Sequence, residues 1–429
     1  MDFTKVLSSP GLPTRFSEAE LLHGYLNSEP AREPIYLSLG ETWTEAAPGL
    51  TRVLASPLPT HSHGYVVTQY GLPRLQLVLR TYIKRTHDLR GEPGEDFEVA
   101  ASCAGTRNAM FDFARMLNSP PDHQTAPVAL VFSPGWDYAS VFASAGYRVQ
   151  HLPLSPQTSY PSMAHLREAL DGLQPAQRAV LVINAQHNPT AINWRADDVR
   201  QMIRAALAAG AAILIDDAYF AVHNPDIEPT NALRILLEET AKHPAGTPPW
   251  LAVRSLGKQF HCNGWGIGAV TGPPAVIDQL MNTTQFQRSF ISAVPLQEAM
   301  ASWLQDPQSD AYLAAMRQQY ADKRIHVARF FVDRLGYPEG TFQTGECTSY
   351  LRFQIPRPYW HHPDAAAFFR MECFRRTGVL FGLDPGHLDD MPHAAIQPTF
   401  HLRMFIGPPI PVLTDALERL AQAGITFAD

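Results

Sequence analysis

The stretch Trp250-Leu-Ala-Val-Arg-Ser-Leu-Gly-Lys258 (WLAVRSLGK, residues 250–258) runs from a short apolar segment into a glycine and then a lysine. Its first part, Leu251–Ser255, predicts a buried strand. Lysine is scarce in this chain: only Lys5, Lys84, Lys242, Lys258 and Lys323 occur, and surface charge is carried mainly by arginine. A lysine just past a buried strand therefore stands out. A long amine side chain can also simply snorkel to the surface, so the meaning of Lys258 depends on what lies around it.

Working outward, similar runs appear at Phe97–Ser102, Val128–Phe132, Tyr147–Leu152, Ala179–Asn184, Ala211–Asp216 and Ile267–Thr271. Helical spacing is read at 72–85 and over Arg107–Leu117, Met163–Leu173 and Ala196–Ala209. Strands that alternate with helices imply a mostly parallel sheet covered on both faces. The later sequence differs. It predicts one long amphipathic helix over 308–336, a strand at Ser349–Gln354, a helix at Ala365–Arg376, a strand at His401–Phe405 and a final helix at Pro411–Ala423. The fold class expected is α/β: a large domain over 66–305 built on a seven-stranded sheet, and a smaller α+β domain from 1–65 with 306–429. Residues 237–249 read as a surface insertion.

Composition narrows the function classes. The 429 residues are 45% apolar and 17% charged, enough to bury a sizeable core. The formal charge is −7, with no long basic run, which argues against a nucleic-acid partner. No 18-residue apolar stretch occurs and the N-terminus has no apolar signal-like region, so neither membrane spanning nor secretion is expected. Cys103, Cys262, Cys347 and Cys373 are scattered, which favours neither a disulfide framework nor a zinc site and fits a reduced, cytoplasmic compartment.

Ligands of open α/β sheets sit beyond the carboxyl ends of the strands. Four such places are informative. Ala104-Gly105-Thr106-Arg107-Asn108-Ala109 is a small-residue turn entering a helix, which offers backbone N–H groups to an anion. Asn184-Ala-Gln-His-Asn188-Pro189-Thr190 follows the strand AVLVIN, and an asparagine there can donate to a ring substituent. Asp216-Asp217-Ala218-Tyr219 ends a buried strand with a carboxylate, which is costly unless paired. The fourth is Ser255-Leu256-Gly257-Lys258. Taken singly, each has a plain structural reading: a strand–helix turn, an Asn-Pro loop, a helix-capping aspartate with a core tyrosine, a surface lysine.

In this order and spacing, over roughly residues 36–410, the four resemble the aspartate-aminotransferase-like (class I/II) family of fold-type I enzymes that use pyridoxal 5′-phosphate (PLP). The resemblance implies a Schiff base on Lys258, with Asp216 pairing the pyridine nitrogen so that the ring becomes an electron sink. It implies that Tyr219 and Asn188 hydrogen-bond the ring's phenolic oxygen, and that Trp136, in Ser133-Pro134-Gly135-Trp136, stacks on the ring. It places Gly105, Thr106, Arg107 and Ser255 at the phosphate. Tyr65 falls near the tyrosine that reaches a neighbouring subunit's phosphate, with a spacing to Gly71 one residue longer than usual. Arg403 matches the arginine that grips the substrate α-carboxylate, a task suited to a bidentate guanidinium. Asn188 and Gly40 fall at further substrate positions. Arg288 precedes Ser292 at a spacing seen in members that bind a second acidic group; a surface arginine is the other reading. No metal is implied, and a homodimer with shared sites is.

Three positions depart from the family's pattern. Gly266 stands where an arginine usually holds the phosphate, a contact worth roughly 1.5–3 kcal/mol; Arg107 is expected to compensate. Ala191 stands where glycine is usual. His261 lies three residues after Lys258 and could tune the lysine, act as an acid or base, or be a loop residue near the phosphate. The resemblance implies amino transfer first. Elimination or replacement, C–C bond formation and oxidation on the same cofactor are the alternatives, and a non-enzymatic regulator built on the fold is a distant third.

Overall fold

A computed structural model describes residues 17–28, 32–38, 46–56, 59, 64, 69–102, 104–119, 125–242, 246–289, 293–384 and 400–427. The positions singled out above at Gly40, Tyr65 and Ser292 lie outside the described residues. Two compact units are present: a larger one of residues 45–321 with 346–348, and a smaller one of 1–44 with 322–345 and 349–429.

The larger unit is built on a seven-stranded sheet. From edge to edge it runs Glu98–Ser102, Gly268–Gly272, Trp250–Ser255, Ala212–Asp216, Ala179–Ile183, Val128–Ser133 and Arg148–Pro153. Only Gly268–Gly272 runs against its neighbours; the other pairings are parallel. Side chains alternate across a strand. Ala129 and Val131, Val180 and Val182, Ala212 and Leu214, and Leu251 and Val253 pack with Met110 and Phe113 on one face. The intervening residues Leu130, Leu181, Ile213 and Ala252 are also buried. Both faces of these central strands are therefore covered.

The helices carry the matching pattern. In Ala196–Ala208, the buried Val199, Met202, Ile203 and Ala206 recur at one-turn spacing, and Asp197 and Asp198 sit at the positive N-terminal end. Pro73–Thr86 starts on a proline, buries Leu75, Val78, Leu79, Tyr82 and Ile83, and ends with Lys84 and Arg85 in its last turn.

The smaller unit holds a five-stranded sheet in the order Ile35–Leu37, Val379–Leu383, His401–Phe405, Tyr350–Gln354, Phe342–Gln343. The helix Ala365–Thr377 packs with it through Phe369, Cys373 and Phe374.

The expected surface insertion at 237–249 is corrected at its start. Residues 237–240 belong to the helix Ala232–Thr240, and Glu239 on that helix is only 2% exposed. Its carboxylate accepts from Arg200 Nη1 at 2.7 Å, Arg204 Nε at 2.9 Å and Lys242 Nζ at 2.8 Å. The Arg204, Lys242 and Arg200 bonds outweigh the effect of burial and hold the Glu239 carboxyl at about 2, against 4.5 ordinarily. A carboxyl depressed on folding stabilises the fold above its unfolded pKa and loses that contribution as pH falls through the folded value. Glu239→Gln is expected to cost roughly 1–3 kcal/mol at neutral pH. The gap from wild type should close as pH falls from about 4.5 toward 2. Thermal melts of both proteins across that range check this.

Candidate active site

The carboxyl ends of the parallel strands bring most of the singled-out residues together. Asp216 closes the strand Ala212–Asp216 and is 5% exposed. One carboxylate oxygen accepts from the Tyr138 hydroxyl at 2.6 Å and the other from the Ala218 N–H at 3.0 Å. Burial pushes its pKa up; the Tyr138 bond, the Ala218 bond and the charge of Lys258 pull it back. The next strand end is tied to it: Asn184 donates from Nδ2 to the Asp216 carbonyl at 2.7 Å and accepts from the Asn188 N–H at 2.9 Å. Asn188 is itself buried.

Lys258 lies on the short helix Leu256–Phe260, which leaves the strand Trp250–Ser255 without a loop. Ser255 caps this helix, its hydroxyl accepting from the Lys258 N–H at 3.3 Å. Gly257 is needed for the turn: a Cβ there would lie 2.9 Å from Asn263 Cα and 3.1 Å from the Cys262 carbonyl oxygen. The Lys258 ammonium sits 4.9 Å from the centre of the Tyr219 ring. Three expected groups, Lys258, Asp216 and Tyr219, are thus neighbours.

The turn at Ala104 (φ 63°) and Gly105 (φ 84°) is left-handed and opens the helix Gly105–Leu117, whose N-terminus no side chain caps. Gly105 N–H donates to the Gly266 carbonyl at 2.6 Å. Gly266 is also left-handed (φ 61°), and a Cβ on it would lie 3.3 Å from Ala104 Cα. Arg107 is directed to Trp136 and Asp137: its guanidinium carbon is 4.3 Å from the indole centre and Nη1 donates to Asp137 at 2.8 Å. Trp136 in turn meets Tyr138 edge-on at 5.1 Å.

Ala191 takes φ 61°, which explains why glycine is the usual residue at such a position. His261, also left-handed, ends the lysine helix, with Nδ1 2.5 Å from the Tyr312 hydroxyl and Nε2 3.1 Å from that of Tyr320. Arg288 is exposed, as the sequence favoured, and is also tied down by an ion pair. It donates from Nη2 at 2.7 Å and from Nε to Asp112, a carboxylate 1% exposed. Arg403 belongs to the smaller unit, on strand His401–Phe405, with its guanidinium carbon 4.0 Å from the Tyr350 ring centre.

Sequence reasoning missed Tyr138 and Asn184 as partners of Asp216. Tyr138 sits two residues after Trp136, and Asn184 ends its own strand, but neither position advertises a bond to a residue 78 or 32 positions away.

The sequence profile of the family aminotransferase class I and II matches residues 98–370. A probable N-succinyldiaminopimelate aminotransferase, DapC, of Mycobacterium tuberculosis is 27% identical over 46% of this chain and 47% of its own length, so the match spans about half of that relative. The 4-dedimethylamino-4-oxo-anhydrotetracycline transaminase OxyQ of Streptomyces rimosus is 25% identical over 71% of this chain and 74% of its own. Among solved structures, an aspartate aminotransferase double mutant of Thermus thermophilus superposes with a TM-score of 0.77 at 20% identity, covering 98% of each chain. Substrate-bound BacF of Bacillus subtilis gives 0.78 at 18% identity over 97% of each. The structural likenesses concern the fold, which is that of aspartate aminotransferase. The profile match takes in well over half of the sequence, and with it the chain belongs to the aminotransferase class I and II family.

Proposed function

We propose that this chain is a PLP-dependent aminotransferase acting on an amino acid, with Lys258 as the residue that carries the cofactor. The observation that carries the reading is the pairing of a lysine with a buried carboxylate at neighbouring strand ends, Lys258 within electrostatic reach of Asp216 and over Tyr219. The donor set fits the group. Asp216, anchored by Tyr138 and Ala218, suits a protonated ring nitrogen. Tyr219 and Asn188 suit a phenolic oxygen, Trp136 a ring face, and the uncapped helix start at Gly105 and Thr106 a phosphate. When bound, PLP supplies an electron sink for the pair left at the substrate Cα.

The residues divide the remaining work. Lys258 would hold the cofactor through Nζ and, as a free amine, would be placed to take up and give back the substrate Cα proton. The Tyr138 and Ala218 bonds favour the charged form of Asp216 against the effect of burial, which suits it to a cation opposite. Arg403 supplies a fork for the substrate α-carboxylate. Amino transfer is preferred over elimination, C–C bond formation or oxidation because relatives such as OxyQ are named as transaminases. A homodimer is part of the proposal. No helix among the described residues is long and apolar enough to cross a membrane.

Wild type mixed with PLP is expected to show a visible or near-ultraviolet band that shifts with a substrate amino acid and is trapped by borohydride. Lys258→Ala should lack it. One turnover should leave stoichiometric pyridoxamine phosphate; its absence, with the band present, would point to one of the other PLP reactions.

Arg107→Glu is expected to weaken cofactor retention, measured as the PLP dissociation constant of the apoenzyme. Unchanged retention would remove Arg107 from the phosphate.

Tyr138→Phe deletes a bond that lowers the Asp216 pKa, so the carboxyl should titrate at higher pH. The acidic limb of the kcat/KM profile should move upward. At pH values below it, the loss should be about ten- to a hundredfold, matching roughly 1.5–3 kcal/mol for a charge-assisted bond.

A further inference from the structure

Lys258, Asp216 and Tyr219 are each followed by a residue that turns away from the site, and the three successors converge. Gln259 follows Lys258, Asp217 follows Asp216 and Phe220 follows Tyr219. Two of them, Gln259 and Phe220, meet one buried guanidinium, that of Arg254, which is 4% exposed, and the third, Asp217, lies within reach of its charge. Arg254 Nε donates to Gln259 Oε1 at 3.1 Å, and its guanidinium carbon lies 5.2 Å from the Phe220 ring centre. Its charge bears on the Asp217 carboxylate, which is 1% exposed and has no hydrogen-bond partner on either oxygen. The rest of the guanidinium is fixed to the helix Pro73–Thr86. Nη1 donates to Thr86 Oγ1 at 2.7 Å and Nη2 reaches the Tyr82 hydroxyl at 3.5 Å. Gln259 Nε2 donates to the same Tyr82 hydroxyl at 2.9 Å, so the arrangement closes on itself.

The sheet explains the convergence. Asp216 pairs in register with Val253. Side chains alternate across a strand, so the residues after this pair, Asp217 and Arg254, point to the side opposite Asp216. The Asp217 N–H donates to the Val253 carbonyl at 2.9 Å, which carries the pairing one residue past the strand. A buried arginine is costly to desolvate, and a smaller apolar residue would fill the space more cheaply. What the guanidinium adds is a rigid planar fork with five donors, which fixes the angle between its partners as well as their distance. Burial pushes the Asp217 carboxyl up to about 8, with Arg254 drawing it down and Asp216 raising it.

We propose that Arg254 is a positioning residue that sets the separation of Lys258 from Tyr219 and Asp216 by bonding Gln259, which follows Lys258, and packing on Phe220, which follows Tyr219. The proposal rests on the aminotransferase reading, in which Lys258 Nζ and the Asp216 carboxylate must address the same bound ring. Displacements on the order of 1 Å at a reacting group can cost about a hundredfold in rate.

The experiment uses the PLP-loaded enzyme and three variants. Arg254→Lys keeps the charge and loses the fork. Gln259→Leu cuts the arm to the lysine segment, removing both the bond from Arg254 and the bond from Gln259 to Tyr82. Thr86→Val cuts an arm of the same guanidinium that leads to the helix. Each is measured for thermal midpoint, for kcat and KM, and for the pH midpoint of the Lys258-linked cofactor band. The first two should lower kcat by roughly ten- to a hundredfold with KM little changed, and should move the band's pH midpoint. Thr86→Val should lower the thermal midpoint while leaving the band's pH midpoint in place. If Gln259→Leu keeps wild-type kcat and band midpoint, or if Thr86→Val moves them as much as Gln259→Leu does, Arg254 is only a packing element and the proposal is overturned. Should Arg254→Lys fail to fold, the Gln259→Leu and Thr86→Val pair decides alone. Wild type without a cofactor band would remove the aminotransferase reading and this role with it, whereas silent variants of a wild type that carries the band overturn the role by itself.

Discussion

A carboxylate that ends a strand buried on both faces must find its donors close by, and the larger unit is arranged around how Asp216 does so. Desolvation alone would neutralise it. The Tyr138 hydroxyl and the Ala218 N–H keep an ionised form within reach, and Lys258 adds a nearby positive charge. Each of these donors arrives from a different strand end, so the ionised carboxylate is available only when the sheet register is correct. Asn184 shows the same dependence through the backbone. By donating to the Asp216 carbonyl while accepting from Asn188, it makes two neighbouring strand ends one hydrogen-bonded object. Fold and site are one constraint seen at two scales.

The turn proposed for the phosphate is organised differently from what a missing arginine alone would imply. Gly266 does more than lack a side chain. Its backbone is left-handed, lies against Ala104 and uses its carbonyl to hold Gly105 N–H. A residue with a Cβ would have to move that turn, and a left-handed conformation costs an L-residue roughly 1–2 kcal/mol. The turn that starts the helix Gly105–Leu117 and the loop after Lys258 are therefore clasped by backbone where the family pattern uses a cation. Arg107 stands beside this clasp on the Trp136 face, paired with Asp137. To serve a phosphate it would have to exchange one anionic partner for another, which a guanidinium fork does at small net cost near the surface.

Much of the fold was legible because a strand buried on both faces leaves a strong local mark. Val128–Ser133, Ala179–Ile183, Ala212–Asp216 and Trp250–Ser255 all fall within a residue or so of where apolar runs placed them. The chemistry-bearing side chains at their ends were legible too, since they sit at the boundary between an apolar run and a turn. What stayed hidden is long-range. The strand Val379–Leu383 was lost in a run that a helix end could equally well supply. Glu239 looked like part of an exposed acidic loop, and only the folded helices bring Arg200 and Arg204 to it. Arg288 looked available, yet it is bound to Asp112, 176 residues earlier in the chain. Arg254 is the extreme case. Its neighbours in sequence mark it as an ordinary strand residue, and its meaning comes from partners distant in sequence, Thr86, Tyr82 and Phe220, that converge on it together with Gln259.

The smaller unit poses a like-charge problem and solves it in a way that bears on function. Arg352 and Arg403 are directly paired across the antiparallel strands Tyr350–Gln354 and His401–Phe405, so both project from one face. Two guanidinium groups at that spacing repel and would destabilise the sheet. Asp384 removes the conflict by taking Arg352 in an ion pair at 2.8 Å, with both side chains nearly buried. Burial and the Arg352 charge push His401, which pairs with Gln354 at the same sheet edge, down to about 4, so it adds no further cation at neutral pH. Arg403 has its guanidinium carbon 4.0 Å from the Tyr350 ring centre, a cation–π contact that restrains the fork. The Arg352–Asp384 pair is thus the condition for two arginines to stand side by side: it cancels one of two adjacent charges, so that Arg403 is tolerated on the same face of the sheet.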